Sequence, residues 1–202
     1  MVKLMLLPAL LPHLHAASVY LGGYDYSFTH FIRGLDDNPV LNTFFTWFTF
    51  TADTLFMVFI IAALYLSGYR KEALIFAVVF LVTNVVSYGL KYLIARPRPN
   101  DLGIAPESEP AFPSGHTSNA FAFATTISYY HRKAAPFLVA WALLIAFSRV
   151  FLGFHYFTDL LGGAAVGIVV SLVITHIATR YDAQVTHFVE RLPQLGRSKR
   201  ET

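Results

Sequence analysis

Apolar runs long enough to cross a lipid bilayer recur along this chain, and no other feature restricts its fold so strongly. A spanning helix needs roughly 20 apolar residues to cross ~30 Å of hydrocarbon, where each backbone polar group must be satisfied within the protein. Such runs cover Leu41 to Leu66, Glu72 to Ile94, Ser114 to Tyr130, Ala135 to Leu152 and Phe157 to Ala178. Of the 202 residues, 55% are hydrophobic and 13% are charged, against about a quarter charged in an ordinary soluble domain. The expected fold class is all-α: a polytopic membrane helix bundle of about six transmembrane helices.

A further run, Leu4 to Leu21, is interrupted by Pro8, Pro12, His13 and His15. Three readings fit it: a spanning helix, an interfacial segment, or a signal peptide with Lys3 as its charged start. Ala16-Ala17-Ser18 makes a poor small-x-small cleavage site, which favours the span. Tyr24 to Pro39 is more polar and contains the alternation FTHFIRGL, which suits a short amphipathic helix at the membrane surface. The chain thus divides into an N-terminal span or interfacial segment with its amphipathic helix (1–40), a transmembrane bundle (41–178) and a basic tail (179–202).

The positive-inside rule orients the bundle. Arg70 and Lys71, Arg132 and Lys133, and the tail arginines and lysines from Arg180 to Arg200 fall on one side if the spans alternate. That side is expected to be the cytoplasm, and it holds the C-terminus of a multi-pass cell-membrane protein. The opposite side receives Arg33, Lys91, Arg96, Arg98 and Arg149. The last four sit beside span ends and oppose the topology signal, so something other than topology requires them. The net charge of +3 is small and shows no basic face, so nucleic-acid binding is not expected. The absence of cysteine excludes disulfides, thiolate nucleophiles and thiolate-bound metals.

Three stretches converge on the expected outer side. In KYLIARPRP (Lys91 to Pro99), Lys91 and Arg98 are seven apart, two turns on one helical face, but Pro97 and Pro99 break the helix, so the spacing does not fix the aim of Arg98. Snorkelling to the headgroups explains these cations equally well when they are taken alone. In PSGHTSN (Pro113 to Asn119), Ser114 is a natural N-cap and Gly115 lets a ligand approach the backbone. The free N–H groups there favour an anion, and His116 sits in the same first turn. In SRVFLGFHYFTD (Ser148 to Asp159), His155 and Asp159 are four apart, neighbours on one face if a helix begins there. A carboxylate beside an imidazole fixes its tautomer and stabilises the cation formed later. Arg149 offers a planar fork for phosphate oxygens. The bland alternative is an Arg149–Asp159 salt bridge with His155 as a bystander.

Together the three stretches resemble the signature of the type 2 phosphatidic acid phosphatase superfamily. That signature runs Lys, six residues, Arg-Pro; then Pro-Ser-Gly-His; then Ser-Arg, five residues, His, three residues, Asp. Lys91 with Arg98-Pro99 fits the first part, whereas Arg96-Pro97 comes two residues too early; Pro113 to His116 and Ser148 to Asp159 fit the others in full. The resemblance implies that His155 attacks phosphorus and forms a phosphohistidine, with Asp159 orienting it. It implies that His116 protonates the leaving oxygen and later helps activate water. It implies that Lys91, Arg98, Ser114, the Gly115 backbone and Arg149 cradle the phosphate. No cofactor and no metal is implied, since a lysine and two arginines can supply the charge stabilisation that phosphoryl transfer needs. The implied substrate is a lipid phosphate at the outer membrane rim: undecaprenyl diphosphate, phosphatidylglycerophosphate or phosphatidic acid. The alternatives are a lipid phosphotransferase with the same intermediate, an anion or lipid transporter, and a metal site built from His116, His155 and Asp159. The vanadium haloperoxidases share the motifs but are soluble, which this hydropathy excludes.

Other polar residues receive structural expectations. Asp53 is expected to cap a helix after a break, the favoured reading, or to shape the substrate entrance, and Asn84 and Ser87 to make interhelical hydrogen bonds. Phe44, Phe45, Trp47 and Phe48 suit an interfacial belt. The loop Asn100 to Phe112 fits either a lid or a lipid selector, and His176 and His187 need no role.

Overall fold

A computed structural model describes residues 22–34, 38–99 and 109–192. The run Leu4 to Leu21, the aspartates Asp36 and Asp37, most of the 100–112 loop and the end of the tail lie outside the described residues. Among the described residues every regular element is helical: α1 (Gly22–Arg33), α2 (Pro39–Thr49), α3 (Thr54–Leu66), α4 (Arg70–Ile94), α5 (Gly115–Tyr130), α6 (Ala135–Phe151), α7 (Phe157–Arg180) and α8 (Asp182–Arg191). Short 3-10 turns precede α3 and α6.

Three helical stretches are each long and apolar enough to cross a membrane: α4, α6 with its preceding turn, and α7. The expected single span Leu41 to Leu66 is instead two helices, α2 and α3, bent by 54° at their junction and passing the test only as a pair. The cause is local. Asn38 opens α2 by accepting the N–H groups of Val40 (2.9 Å) and Leu41 (3.4 Å). Asp53 then adopts extended backbone and accepts the N–H of Leu55 at 3.0 Å, restarting the helix. Asp53 is thus the cap that its sequence context suggests. Replacing it by Ala is expected to lower stability by about 1 kcal/mol, while Asn, an equally good cap, stays within a few tenths of wild type. Thermal unfolding of the two variants in detergent separates these outcomes.

The helix α5 has 16 residues and buries Thr117, Ser118, Asn119, Ala120, Ala122, Ala124 and Thr126. Its small and polar faces suit the centre of the bundle, where α4, α6 and α7 surround it. Its closest partner is α7. A Cβ on Gly163 would lie 2.7 Å from the Ser114 carbonyl, and one on Gly167 would lie 2.4 Å from the Ser118 carbonyl and 2.8 Å from the Ala122 nitrogen. Only glycine admits this approach, the small-residue packing common between membrane helices. Polar side chains link the same helices. Asn84 donates to Asn119 (3.1 Å), Ser87 to Ser118 (3.2 Å), and Thr126 pairs with Ser171 (2.8 Å). The interhelical roles expected of Asn84 and Ser87 are therefore present.

The outer surface inverts the pattern of a soluble bundle. Leu55, Phe59, Leu81, Val85, Phe137 and Val169 are exposed, a surface suited to hydrocarbon rather than water. In α1 the buried face carries Asp25 and Thr29, while Phe28 and Phe31 point outward. Of the expected aromatic belt, Phe44 and Trp47 are exposed, whereas Phe45 packs on Phe151 and Phe48 joins the core. Helical order continues past residue 178: α7 reaches Arg180, and α8 is tied back by an Asp182–Lys71 ion pair.

Candidate active site

The site is assembled from three helix ends. The first is the C-terminus of α4. Lys91 lies in its last turn, and Ala95 then takes a left-handed conformation (φ 50°), its N–H bonded to the Lys91 carbonyl. The chain turns away there and has no regular secondary structure from Arg96 to Pro99. The expectation that Lys91 and Arg98 share a helical face is therefore corrected, because the helix stops before Arg98. They meet because the chain reverses. Lys91 Nζ donates to the Pro110 carbonyl (2.7 Å) and lies 3.5 Å from the Glu109 carboxylate. Arg98 donates to the carbonyls of Glu109 (2.7 Å) and Phe154 (2.9 Å), and its Nη1 lies 3.2 Å from His155 Nε2.

The second is the N-terminus of α5. Ser114 occupies the N-cap position, but its hydroxyl accepts from Thr117 Oγ1 at 3.0 Å instead of bonding a backbone N–H. The side-chain cap expected of Ser114 is therefore not made. Its own N–H bonds the Asp159 carbonyl at 3.0 Å, fastening this end of α5 to α7. His116 follows in the first turn, with Nε2 3.9 Å from the Asp53 carboxylate.

The third is the junction of α6 and α7. The turn through Gly153 (φ 74°) folds back so that the Arg149 carbonyl accepts the N–H groups of Phe154 (3.0 Å) and His155 (3.3 Å). Helix α7 begins only at Phe157, so His155 precedes it and the helical i,i+4 argument is corrected. The pairing survives for another reason. Asp159, in the first turn, accepts the N–H of Tyr156 on Oδ2 (2.9 Å), and the same oxygen faces His155 Nδ1 at 3.4 Å. Arg149 does not reach Asp159. Its guanidinium lies over the Phe154 ring at 4.3 Å, with Nη1 3.5 Å from Thr49 Oγ1. The bland Arg149–Asp159 bridge is thereby overturned: the arginine on Asp159 is Arg96, at 2.7 Å.

These ends enclose a cavity of about 150 Å³ whose lining includes Lys91, Arg98, Gly115, His116, His155 and Asp53. Ser114, Arg149 and Asp159 are buried but are not among its lining residues. Among the described residues, His116, His155 and Asp159 do not form a metal-ligating group. Sequence reasoning set Arg96 aside because it misses the motif spacing, and gave Asp25 no role. The signal present in the sequence was charge placed against the topology, which marks Arg96 as much as Arg98.

Comparison with known proteins gives a consistent picture. The family model for the PAP2 superfamily matches residues 72–182. Phosphatidylglycerophosphatase B of Bacillus subtilis (strain 168) is 32% identical over 136 residues, covering 61% of this chain and 65% of that protein, just under two thirds of its length. Undecaprenyl-diphosphatase BcrC of the same organism is 30% identical over 176 residues, covering 82% of this chain and 88% of that one. Among solved structures, the transmembrane PAP2 type phosphatidylglycerolphosphate phosphatase from Bacillus subtilis superposes with a TM-score of 0.71 at 26% identity, covering 89% of this chain and 98% of that chain. Aquifex aeolicus LpxE gives a TM-score of 0.64 at 25% identity, covering 74% and 93%. With the motif residues gathered at one end of a bundle of this fold, and a matched segment that includes all of them, the chain belongs to the PAP2 superfamily.

Proposed function

We propose that this chain removes phosphate from a membrane lipid phosphate or diphosphate through a phosphohistidine on His155. One observation carries the reading: two imidazoles and two cations, drawn from separate helix ends, line one cavity of about 150 Å³. The relatives named above act on phosphorylated membrane lipids, as their names say.

The chemistry divides among the residues by their geometry. Asp159 faces His155 Nδ1, which keeps the proton there and leaves Nε2 to attack. As the Nε2–P bond forms, the P–O bond to the lipid breaks, and His116 gives its proton to the departing oxygen. A water then attacks phosphorus, His116 takes a proton from it, and the N–P bond breaks to release phosphate. Lys91 and Arg98, from the cavity wall, stabilise the charge spread over the equatorial oxygens, helped by the Gly115 backbone N–H. Ser114 and Arg149, outside the lining, act at closer range to the protein than to the substrate. Ser114 fastens α5 to α7, and Arg149 holds the His155 backbone and adds positive field.

Helix direction, with the positive-inside rule, supports a site at the extracytoplasmic rim of the bundle. Arg70, Lys71, Arg132, Lys133 and Arg180 stand at the ends of α4, α6 and α7 opposite to those that carry Lys91, Arg149 and Asp159. A lipid phosphate at headgroup height meets the cavity there, with its tails in hydrocarbon.

The test is phosphate release by detergent-purified protein from phosphatidic acid and from an isoprenyl diphosphate, in EDTA, for wild type and His155→Ala. Turnover that survives chelation and disappears in the variant is expected. Activity lost in EDTA and restored by zinc would indicate a metal enzyme. Absence of turnover together with anion flux in liposomes would indicate a transporter. Phosphate recovered on an added lipid alcohol rather than in water would indicate a phosphotransferase.

A further inference from the structure

The mechanism above makes no use of a buried charge cluster that stands directly behind it. Arg96 is 5% exposed and Asp25 is 4% exposed, and the two are joined at 2.8 Å between Arg96 Nη2 and Asp25 Oδ2. Arg96 Nη1 donates to Asp159 Oδ1 (2.7 Å) and to Thr158 Oγ1 (2.6 Å), and its guanidinium lies 4.4 Å from the Tyr156 ring centre. Asp25 in turn accepts the Thr158 N–H on Oδ1 at 3.1 Å and the Thr158 hydroxyl on Oδ2. The carboxylate of α1 thus caps one backbone N–H in the first turn of α7 from another helix, where the helix dipole favours a negative charge.

We propose that Arg96 and Asp25 are positioning residues for the nucleophile, forming a relay Asp25–Arg96–Asp159–His155 that couples the seating of α1 to the aim of the imidazole. The inference rests on the phosphohistidine reading. Its physical basis is the two-sided restraint on the Asp159 carboxylate. Arg96 holds Oδ1 and the Tyr156 N–H holds Oδ2, so the carboxylate has no freedom to rotate away from His155 Nδ1. The planar guanidinium fork reaches Asp159 through Nη1 and Asp25 through Nη2 in one fixed geometry, which the point charge of a lysine does not supply. Packing alone does not account for the cluster. Buried ion pairs contribute little net stability compared with apolar side chains of the same volume, so two carboxylates and an arginine at this place point to a geometric task. The residue that completes the relay, Asp25, lies before residue 72, where the family match begins.

The experiment is a double-mutant cycle read in steady-state kinetics on a lipid phosphate. Arg96→Gln and Asp25→Asn are each made in the wild-type and in the Asp159→Asn background. In the wild-type background, Arg96→Gln is expected to lower kcat about 10- to 100-fold and Asp25→Asn about 3- to 10-fold, each with KM within about threefold of wild type. In the Asp159→Asn background, where the relay is already cut, either change is expected to alter kcat by less than about twofold. Arg96→Lys, which keeps the charge but loses the fork, is expected to recover only part of the loss. Losses that multiply in the Asp159→Asn background, or that fall on KM or on folded yield alone, overturn the proposal. If Arg96→Gln is not recovered as a folded protein, the isosteric Asp25→Asn pair decides. The parent reading fails separately, by wild-type turnover that His155→Ala leaves intact.

Discussion

His155→Gln is expected to reduce lipid-phosphate turnover by about 10⁴-fold or more, and to abolish a labelled phosphoenzyme trapped from wild type. The size follows from what is lost. In the proposed mechanism His155 supplies the atom that bonds to phosphorus, and the other basic side chains of the cavity are otherwise engaged: His116 is paired towards Asp53, and Lys91 and Arg98 are held by carbonyls of the 109–110 segment and of Phe154. A glutamine keeps much of the volume and a polar tip, so folding should be retained, and equal elution on size exclusion in detergent checks this. A phosphorus–nitrogen bond is labile in acid and stable in base, unlike a serine ester. Rapid quench into base with labelled substrate, followed by an acid wash, therefore identifies the linkage. Residual turnover near that of wild type, or an acid-stable adduct, would remove His155 from the role.

Gly167→Val is expected to be the most damaging single substitution outside the cavity. Even the Cβ would come within 2.4 Å of the Ser118 carbonyl and 2.8 Å of the Ala122 nitrogen. Both obstacles are backbone of a central helix, so neither can rotate aside, and α5 must move away from α7. Overpacking of this kind costs about 1–3 kcal/mol when side chains can adjust, and a backbone obstacle places valine at or beyond the upper end. The functional effect follows from the same displacement. The Ser114 N–H to Asp159 carbonyl bond and the His116 turn both depend on the seating of α5 against α7. Thermal unfolding in detergent, with activity measured on the folded fraction, reads both effects. Gly167→Ala is expected to be intermediate. A valine variant with wild-type unfolding temperature and turnover would show that the two helices have room that the glycine contact denies.

Much of the site was legible because its chemistry is written in short, contiguous stretches. Pro-Ser-Gly-His marks a helix start whatever the rest of the chain does, and His155 with Asp159 identifies an imidazole–carboxylate pair although the helix begins two residues after the histidine. The break at Asp53 was legible for the same local reason, since a capping side chain inside an apolar run has few other uses. The relation between Lys91 and Arg98 was misread because it depends on the left-handed turn at Ala95, and a non-glycine residue with positive φ leaves no mark in the sequence. The place of α5 in the fold was also hidden. Hydropathy reports contact with lipid, and a helix surrounded by other helices is free to carry threonine, serine and asparagine.

By itself, then, the sequence determined that this chain is a helical bundle with apolar outer faces, and it named the imidazoles, the cations and the carboxylate that meet at one end. Which arginine holds Asp159 was decided only by the tertiary structure. Arg96 and Arg98 are two residues apart on an irregular strip, where no helical or strand period fixes their directions, and Arg98 reaches the cavity while Arg96 reaches Asp159 and Asp25 behind it. The partner Asp25 comes from a helix far away in the chain, and pairing across such a distance is set by how helices pack, which local spacing does not encode.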